Sequence, residues 1–298
     1  MDTSTGPRPA PLRIVADSAV IRAILADPGY TVPDPGRGAP PRTMHWLRQN
    51  VARFSNGTDH ARRRELAESL LRPLDPARLR AAARDQTSAV IDEAGRHPFN
   101  VMSRVARRVP GLVLAAALGC TDPELLLGHL APMAAVYQPG PADPAAADGS
   151  VARLAELLPG GPDELMAARI GLLIQAYDAT AGLIGNAVVA GIGAGRPGPA
   201  AELVAQVLRA DPPARATRRV TPSGETIALD LTVAGDDPAG HLAFGYGQRL
   251  CPGSAHAIAL AEGAVQPLLE RCRWTGAAIG YPEPSALRVP ELLELAER

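Results

Sequence analysis

Ten residues constrain this chain more than any others: Phe244-Gly245-Tyr246-Gly247-Gln248-Arg249-Leu250-Cys251-Pro252-Gly253 hold one cysteine in a glycine-bent loop that runs into a helix. Glycine lets the backbone turn tightly and approach another group closely. Arg249 offers a planar fork of donors suited to a carboxylate. Ser254 to Leu269 reads as helical, so the Cys251 sulfur is expected near helix N-terminal amides, which favour the thiolate. Taken singly, each part has a plainer reading. A lone cysteine is usually a small buried hydrophobe, Gly245-Tyr246-Gly247 alone is a weak phosphate-loop signal, and Phe244 could be ordinary core.

With 298 residues the chain can bury a substantial core, and it reads as one domain over residues 13–298 behind a Pro-rich segment, residues 1–12, expected to be disordered. The formal net charge is −1. No global basic field points to nucleic acid. No apolar run is expected to approach the ~20 residues that span a bilayer, and Met1 to Leu12 has no signal-peptide pattern, so no membrane role and a cytoplasmic location are expected. Cys120, Cys251 and Cys272 are too scattered for a disulfide framework and form no C-x-x-C pair. All 30 Lys+Arg residues are arginine, and only three phenylalanines exist, one of them at the cysteine loop.

Helical signals dominate the rest of the chain. Short-helix spacing runs from Asp17 to Asp27, and 33–41 is a Pro/Gly loop. Helices are expected from Asn56 to Leu71 with a cap near Asp59, from Asp75 to about Ala94, from Asn100 to Leu118, and from Asp122-Pro123 onward. Residues 138–150 read as a loop. Asp163 to Ala190 is the longest apolar helical candidate, and Pro199 to Ala210 is a shorter one stopped by Asp211-Pro212-Pro213. Arg218–Thr221 and Glu225–Leu231 read as a hairpin, and Trp274 to Val289 as short terminal strands.

The cysteine loop matches F-x-x-G-x-R-x-C-x-G and resembles the haem-thiolate loop of cytochromes P450. The resemblance extends from about Val51 to Arg288 and implies a mainly α, P450-like helical fold with small β elements, shortened relative to the family. It implies haem b as cofactor, with Cys251 as the axial thiolate on iron and Phe244, Gly245, Gly247 and Gly253 shaping the loop. A thiolate ligand favours O–O cleavage. His60-Ala61-Arg62-Arg63-Arg64 is similar to the H-x-x-x-R element whose His and Arg contact haem propionates, and i,i+4 spacing puts His60 and Arg64 on one helical face. Arg219 matches a propionate-binding strand residue, with Arg218 as the register alternative. Arg249 is the propionate donor of the loop itself.

Arg169 to Asn186 is similar to the long helix that crosses the haem. Asp178 matches the family's acid, and Ala179 stands where its threonine does. Thr180 lies one step on, about 100° around the helix, so it cannot simply substitute. A buried Asp178 would have a raised pKa suited to a proton relay; the plainer reading is a solvent-facing or hydrogen-bonded helix Asp. Gln206 and Arg209 stand where the family carries a buried Glu-x-x-Arg network, with the acid neutralised.

The shortening falls between Gly191 and Glu202, between Leu231 and His241, and between about Tyr137 and Asp163, where a pair of lid helices is usual. An open or partner-completed pocket and a weakened docking face for an electron donor are expected. The resemblance therefore implies a P450-type oxidoreductase of bacterial specialised metabolism, oxidising or rearranging a small-molecule or carrier-bound intermediate. A ferredoxin-type electron donor, peroxide, or no oxidant would each serve. The alternative is a non-catalytic relative that binds and activates a partner enzyme such as a glycosyltransferase; a haem carrier or sensor is a third reading.

Overall fold

A computed structural model describes residues 12–138, 142–193, 198–233, 240–282 and 286–298. Among them are ten α-helices and six short strands. The helices are α1 (Ser18–Ala26), α2 (Met44–Asn50), α3 (Gly57–Leu71), α4 (Pro76–Ala94), α5 (Arg108–Ala117), α6 (Pro123–Tyr137), α7 (Asp148–Leu157), α8 (Asp163–Gly193), α9 (Ala200–Ala210) and α10 (Ser254–Arg271). The strands are β1 (Arg13–Val15), β2 (Phe99–Asn100), β3 (Ala216–Val220), β4 (Thr226–Asp230), β5 (Cys272–Trp274) and β6 (Glu294–Glu297). One sheet has the order β1-β4-β3, with β1 parallel to β4 and β3–β4 an antiparallel hairpin; the other has the order β2-β6-β5.

Helix starts follow their caps where an aspartate is available. Asp17, Asp75 and Asp122 accept from the first-turn amides of Val20, Ala77 and Leu125, as N-cap side chains do. The cap expected at Asp59 is displaced: Asn56 holds the N-cap position of α3, and its carboxamide is spent on both backbone groups of Val32 instead. The helix expected over 100–118 starts as a π-helical turn, Met102–Ala106, before α5, and Asn100 belongs to β2. The expected loop over 138–150 contains a 3₁₀ turn, Pro144–Ala147, capped by Asp143, and the start of α7. Val151, Leu154 and Ala155 give α7 its buried stripe. The terminal strands lie either side of 274–289 because β6 pairs with both β2 and β5. The disordered N-terminal expectation falls outside the described residues except at the exposed Leu12.

α8 is the axis of the molecule. Contrary to the expectation of no long apolar run, it is long and apolar enough to cross a membrane by length and composition, and it is mostly buried as a core helix. Its first half packs with α2, α6 and α7 around Leu47, Phe54, Tyr137, Leu154 and Ile170. Its second half packs with α4, α5, α9 and α10 around Ile91, Val105, Ile184 and Leu260. Two of its glycines permit close approach: a Cβ on Gly182 would meet the Arg288 carbonyl at 2.8 Å, and one on Gly185 would meet Met102 Sδ at 2.7 Å. Gly263 does the same for α10, where a Cβ would lie 2.2 Å from the Arg80 carbonyl of α4. These contacts seat α8 against the 286–290 segment and Met102, and α10 against α4.

Candidate functional site

The loop before α10 is held by its own backbone. Gly245 and Gly247 take φ of 77° and 64°, a region open to glycine. The Cys251 amide donates to the Phe244 carbonyl at 2.9 Å, and the Leu250 amide to Gly247 at 3.0 Å. Gly253 is the N-cap residue of α10. Side chains then tie the loop to α3: Arg64 Nη1 donates to the Leu250 carbonyl at 2.6 Å, and Arg249 Nη2 donates to Ser55 O at 2.8 Å and Asn56 Oδ1 at 2.9 Å. His256 Nε2 lies 3.2 and 3.0 Å from the carbonyls of Leu71 and Leu74, closing α10 onto the end of α3.

The structure gathers the scattered basic residues of the sequence. His60 is 7% exposed, and its pKa falls to about 4 through burial and the positive fields of Arg249, Arg64 and Arg219. It is neutral near pH 7. Arg219 on β3 is 5% exposed, whereas Arg218 is exposed. Burial, then Arg249 and Arg53, pull the Arg219 pKa down to about 10. Its hydrogen bonds go to Thr217 Oγ1 and the Arg218 carbonyl, and burial lowers the pKa of Arg249 as well. No carboxylate pairs with His60, Arg219 or Arg249 among the described residues, while Arg64 pairs with Glu68 at 2.7 Å. Cys251 joins the same neighbourhood. Burial pushes its thiol up, opposed by a Gly253 backbone hydrogen bond and by Arg64 and Arg53. The helix-terminal amide is present, as expected, but burial outweighs it.

Asp178 is half-buried, and its Oδ1 accepts from Arg107 Nε at 3.1 Å. Ala179 is half-buried. Thr180 is 2% exposed. One residue went unnoticed in the sequence: from Glu164 to Ile192, Gln175 is the sole exposed residue of α8. The signal was there, since it is the one polar side chain between Arg169 and Tyr177 in an apolar run.

Neither a protein-family model nor a curated protein sequence matches the chain. Solved structures do. P450BioI in complex with acyl carrier protein ligated to hexadec-9Z-enoic acid superposes with a TM-score of 0.82 at 22% identity, covering 97% of this chain and 93% of that one. CalO2 gives 0.80 at 18% identity, covering 96% and 90%. PksS, the cytochrome P450 of the Bacillus subtilis 168 bacillaene polyketide synthase, gives 0.77 at 15%, covering 95% and 90%. The fold is that of the cytochromes P450.

Within the P450 fold, α8 is the long central helix and the loop before α10 carries the cysteine, as the resemblance implied. The Glu-x-x-Arg position departs from it. Gln206 and Arg209 are exposed and line an open cleft of about 560 Å³ on α9 with Ala201, Glu202 and Ala205. A carboxamide gives a buried arginine no compensating charge, so the outward placement avoids an unpaired buried cation. The shortenings expected between Gly191 and Glu202 and between Leu231 and His241 fall partly on residues 194–197 and 234–239, outside the described residues. A second cleft, about 330 Å³, runs between residues 34–38 and Phe54–Asn56, bordered by Arg63.

Proposed function

We propose that the chain is a haem-thiolate protein of the P450 type, an oxidoreductase acting on a small-molecule or carrier-bound intermediate of bacterial specialised metabolism. The observation that carries this reading is the group of buried His60 and Arg219 with half-buried Arg249, none of which has a carboxylate partner among the described residues. Buried cations are costly unless paired, and the two propionates of haem b are an anion of matching charge. The donor set fits the group: Cys251 would be the axial ligand, Arg219, Arg249, Arg64 and neutral His60 would hold the propionates, and Phe244, Gly245, Gly247 and Gly253 shape the loop. When bound there, haem supplies iron-centred oxidation chemistry that a thiolate ligand tunes.

The protein's own residues do the rest. Gly253 donates to the sulfur and Arg64 adds positive field, both favouring thiolate over thiol. Arg249 bridges the loop to Ser55 and Asn56, so the ligand position is fixed from two sides. Arg107 holds Asp178, while Ala179 presents a methyl group and Thr180 is buried. Any proton relay through Asp178 would work without a hydroxyl at residue 179. Structural likeness to PksS and to CxnD, a P450 for C–S bond formation in chuangxinmycin biosynthesis, supports specialised metabolism as the setting. Oxidation would draw either on oxygen with a ferredoxin-type electron donor or on peroxide as the oxidant, and a rearrangement would need neither.

A second reading, a non-catalytic protein that binds and activates a partner enzyme, is favoured by Ala179 together with the exposed Gln206 and Arg209. A haem titration separates the two. Stoichiometric uptake with a thiolate-type spectrum, lost in Cys251→Ala while circular dichroism is unchanged, supports the haem-thiolate reading. Failure to take up haem overturns it.

A further inference from the structure

Contacts tie Arg53 both to the arginine group and to the end of α6. It lies in the 3₁₀ turn Ala52–Phe54, and the next two residues, Ser55 and Asn56, take the hydrogen bonds of Arg249 at 2.8 and 2.9 Å. Its guanidinium carbon is 5.9 Å from the centre of the Phe54 ring, which stands edge-on to the Tyr137 ring at 5.2 Å. The Gln138 carboxamide oxygen, turned toward it, accepts from Arg53 Nη2 at 2.9 Å and from Nε at 3.3 Å. Nε and Nη2 form the side-on fork that grips a carboxylate bidentately. Here a neutral amide oxygen on an exposed residue fills that place.

Charge counting singles out the same residue. No carboxylate pairs with Arg53, Arg219 or Arg249 among the described residues, whereas Arg64 has Glu68 at 2.7 Å. Burial is the main influence on Arg219 and on Cys251, and the field of Arg53 reaches both, after Arg249 at the first and after Gly253 and Arg64 at the second. Two propionates match Arg219 and Arg249. Arg53 is left over, and it is the exposed one of the three. Next to it, the Tyr137 hydroxyl is buried with no hydrogen-bond partner among the described residues. Burial pushes this phenol up, opposed first by Arg53 and then by Arg48. A buried O–H without an acceptor is costly, so an acceptor arriving at Arg53 gains a second donor.

We propose that Arg53 sets the chemical class of the guest: it recognises a carboxylate, which displaces the Gln138 carboxamide from the fork and takes the Tyr137 hydroxyl as a further donor. The inference rests on the haem-thiolate reading above, since haem is what leaves Arg53 as the unmatched cation. Charge-assisted hydrogen bonds are roughly twice as strong as neutral ones, so the exchange of amide for carboxylate runs toward the guest. The small molecule this chain takes is then an acid, held by its carboxylate at the end of α6.

The test uses the full-length, haem-loaded protein and two probes of equal chain length, octanoate and octan-1-ol, titrated by calorimetry at pH 7. Wild type binds octanoate about 10- to 100-fold more tightly than the alcohol, the worth of charge-assisted hydrogen bonds. Arg53→Gln brings octanoate down to the level of the alcohol, and Arg53→Lys, which keeps the charge and loses the fork, lies between. Tyr137→Phe weakens octanoate about 3- to 10-fold, leaves the alcohol unchanged and costs no stability, because the hydroxyl has no partner to lose. A merely structural Arg53 would weaken both probes alike. Equal binding of the two probes by wild type, no binding of either, or a preference that survives in Arg53→Gln overturns the role of Arg53 and leaves the haem reading standing. A wild-type chain that takes up no haem removes both.

Discussion

Replacing Arg219 by methionine should stabilise the haem-free protein and weaken haem binding at once. Methionine keeps an unbranched apolar stem of similar length in the space that the 5%-exposed arginine fills. A fall in pKa to about 10 corresponds to about 3 kcal/mol of unfavourable charge burial in the folded state. The bonds to Thr217 Oγ1 and the Arg218 carbonyl return about 1 kcal/mol each. The balance is a gain of about 1 kcal/mol for Arg219→Met without haem. With haem supplied, a lost charge-assisted hydrogen bond of about 1.5–3 kcal/mol lowers affinity by roughly 10- to 100-fold. Urea unfolding of the haem-free pair and a haem titration of both read the two effects. A less stable Arg219→Met protein with unchanged haem affinity would refute the claim that this arginine is held ready for an anion.

Other consequences follow from single groups. Glu164 is held at a pKa of about 2 by hydrogen bonds from Arg62 and Arg63. This depressed carboxylate contributes stability above its unfolded pKa of about 4.3, lost as pH falls toward 2; Glu164→Gln should cost about 1 kcal/mol at pH 7 and nothing near pH 2, read by urea midpoints across pH. His60, with its pKa near 4, acts in the same pH direction: the unfolded chain takes up its proton first, so stability of the haem-free protein declines from about pH 6.5 down to 4. A His60→Gln variant should show a flatter pH–stability curve in that window. Gly263→Ala places a methyl group 2.2 Å from the Arg80 carbonyl, and a loss of about 3 kcal/mol or more is expected in denaturant unfolding.

Much of the fold was legible because this chain marks its helix starts with side chains. Asp17, Asp75 and Asp122 each announced a helix, and the β3–β4 hairpin followed its Pro222-Ser223-Gly224 turn. What escaped reading depended on distant partners. α2 is a short helix capped by Thr43, and α7 is stabilised by packing and by Asp148, whose carboxylate accepts from the Met44 amide at 2.8 Å. β6 exists only because β2 and β5 flank it. At the site, motif spacing selected His60, Arg64, Arg219, Arg249 and Cys251, and the fold brings their fields together. Motif reasoning could not show that Asp178 meets Arg107, since residues far apart in sequence decide that contact.

The most direct test is the absorption spectrum of the purified chain, supplied with haem, reduced and exposed to carbon monoxide. The account predicts the thiolate-type Soret band that gives the P450 family its name, present in wild type and absent in Cys251→Ala. A folded protein that binds no haem, or binds it with the same spectrum in both forms, would contradict it.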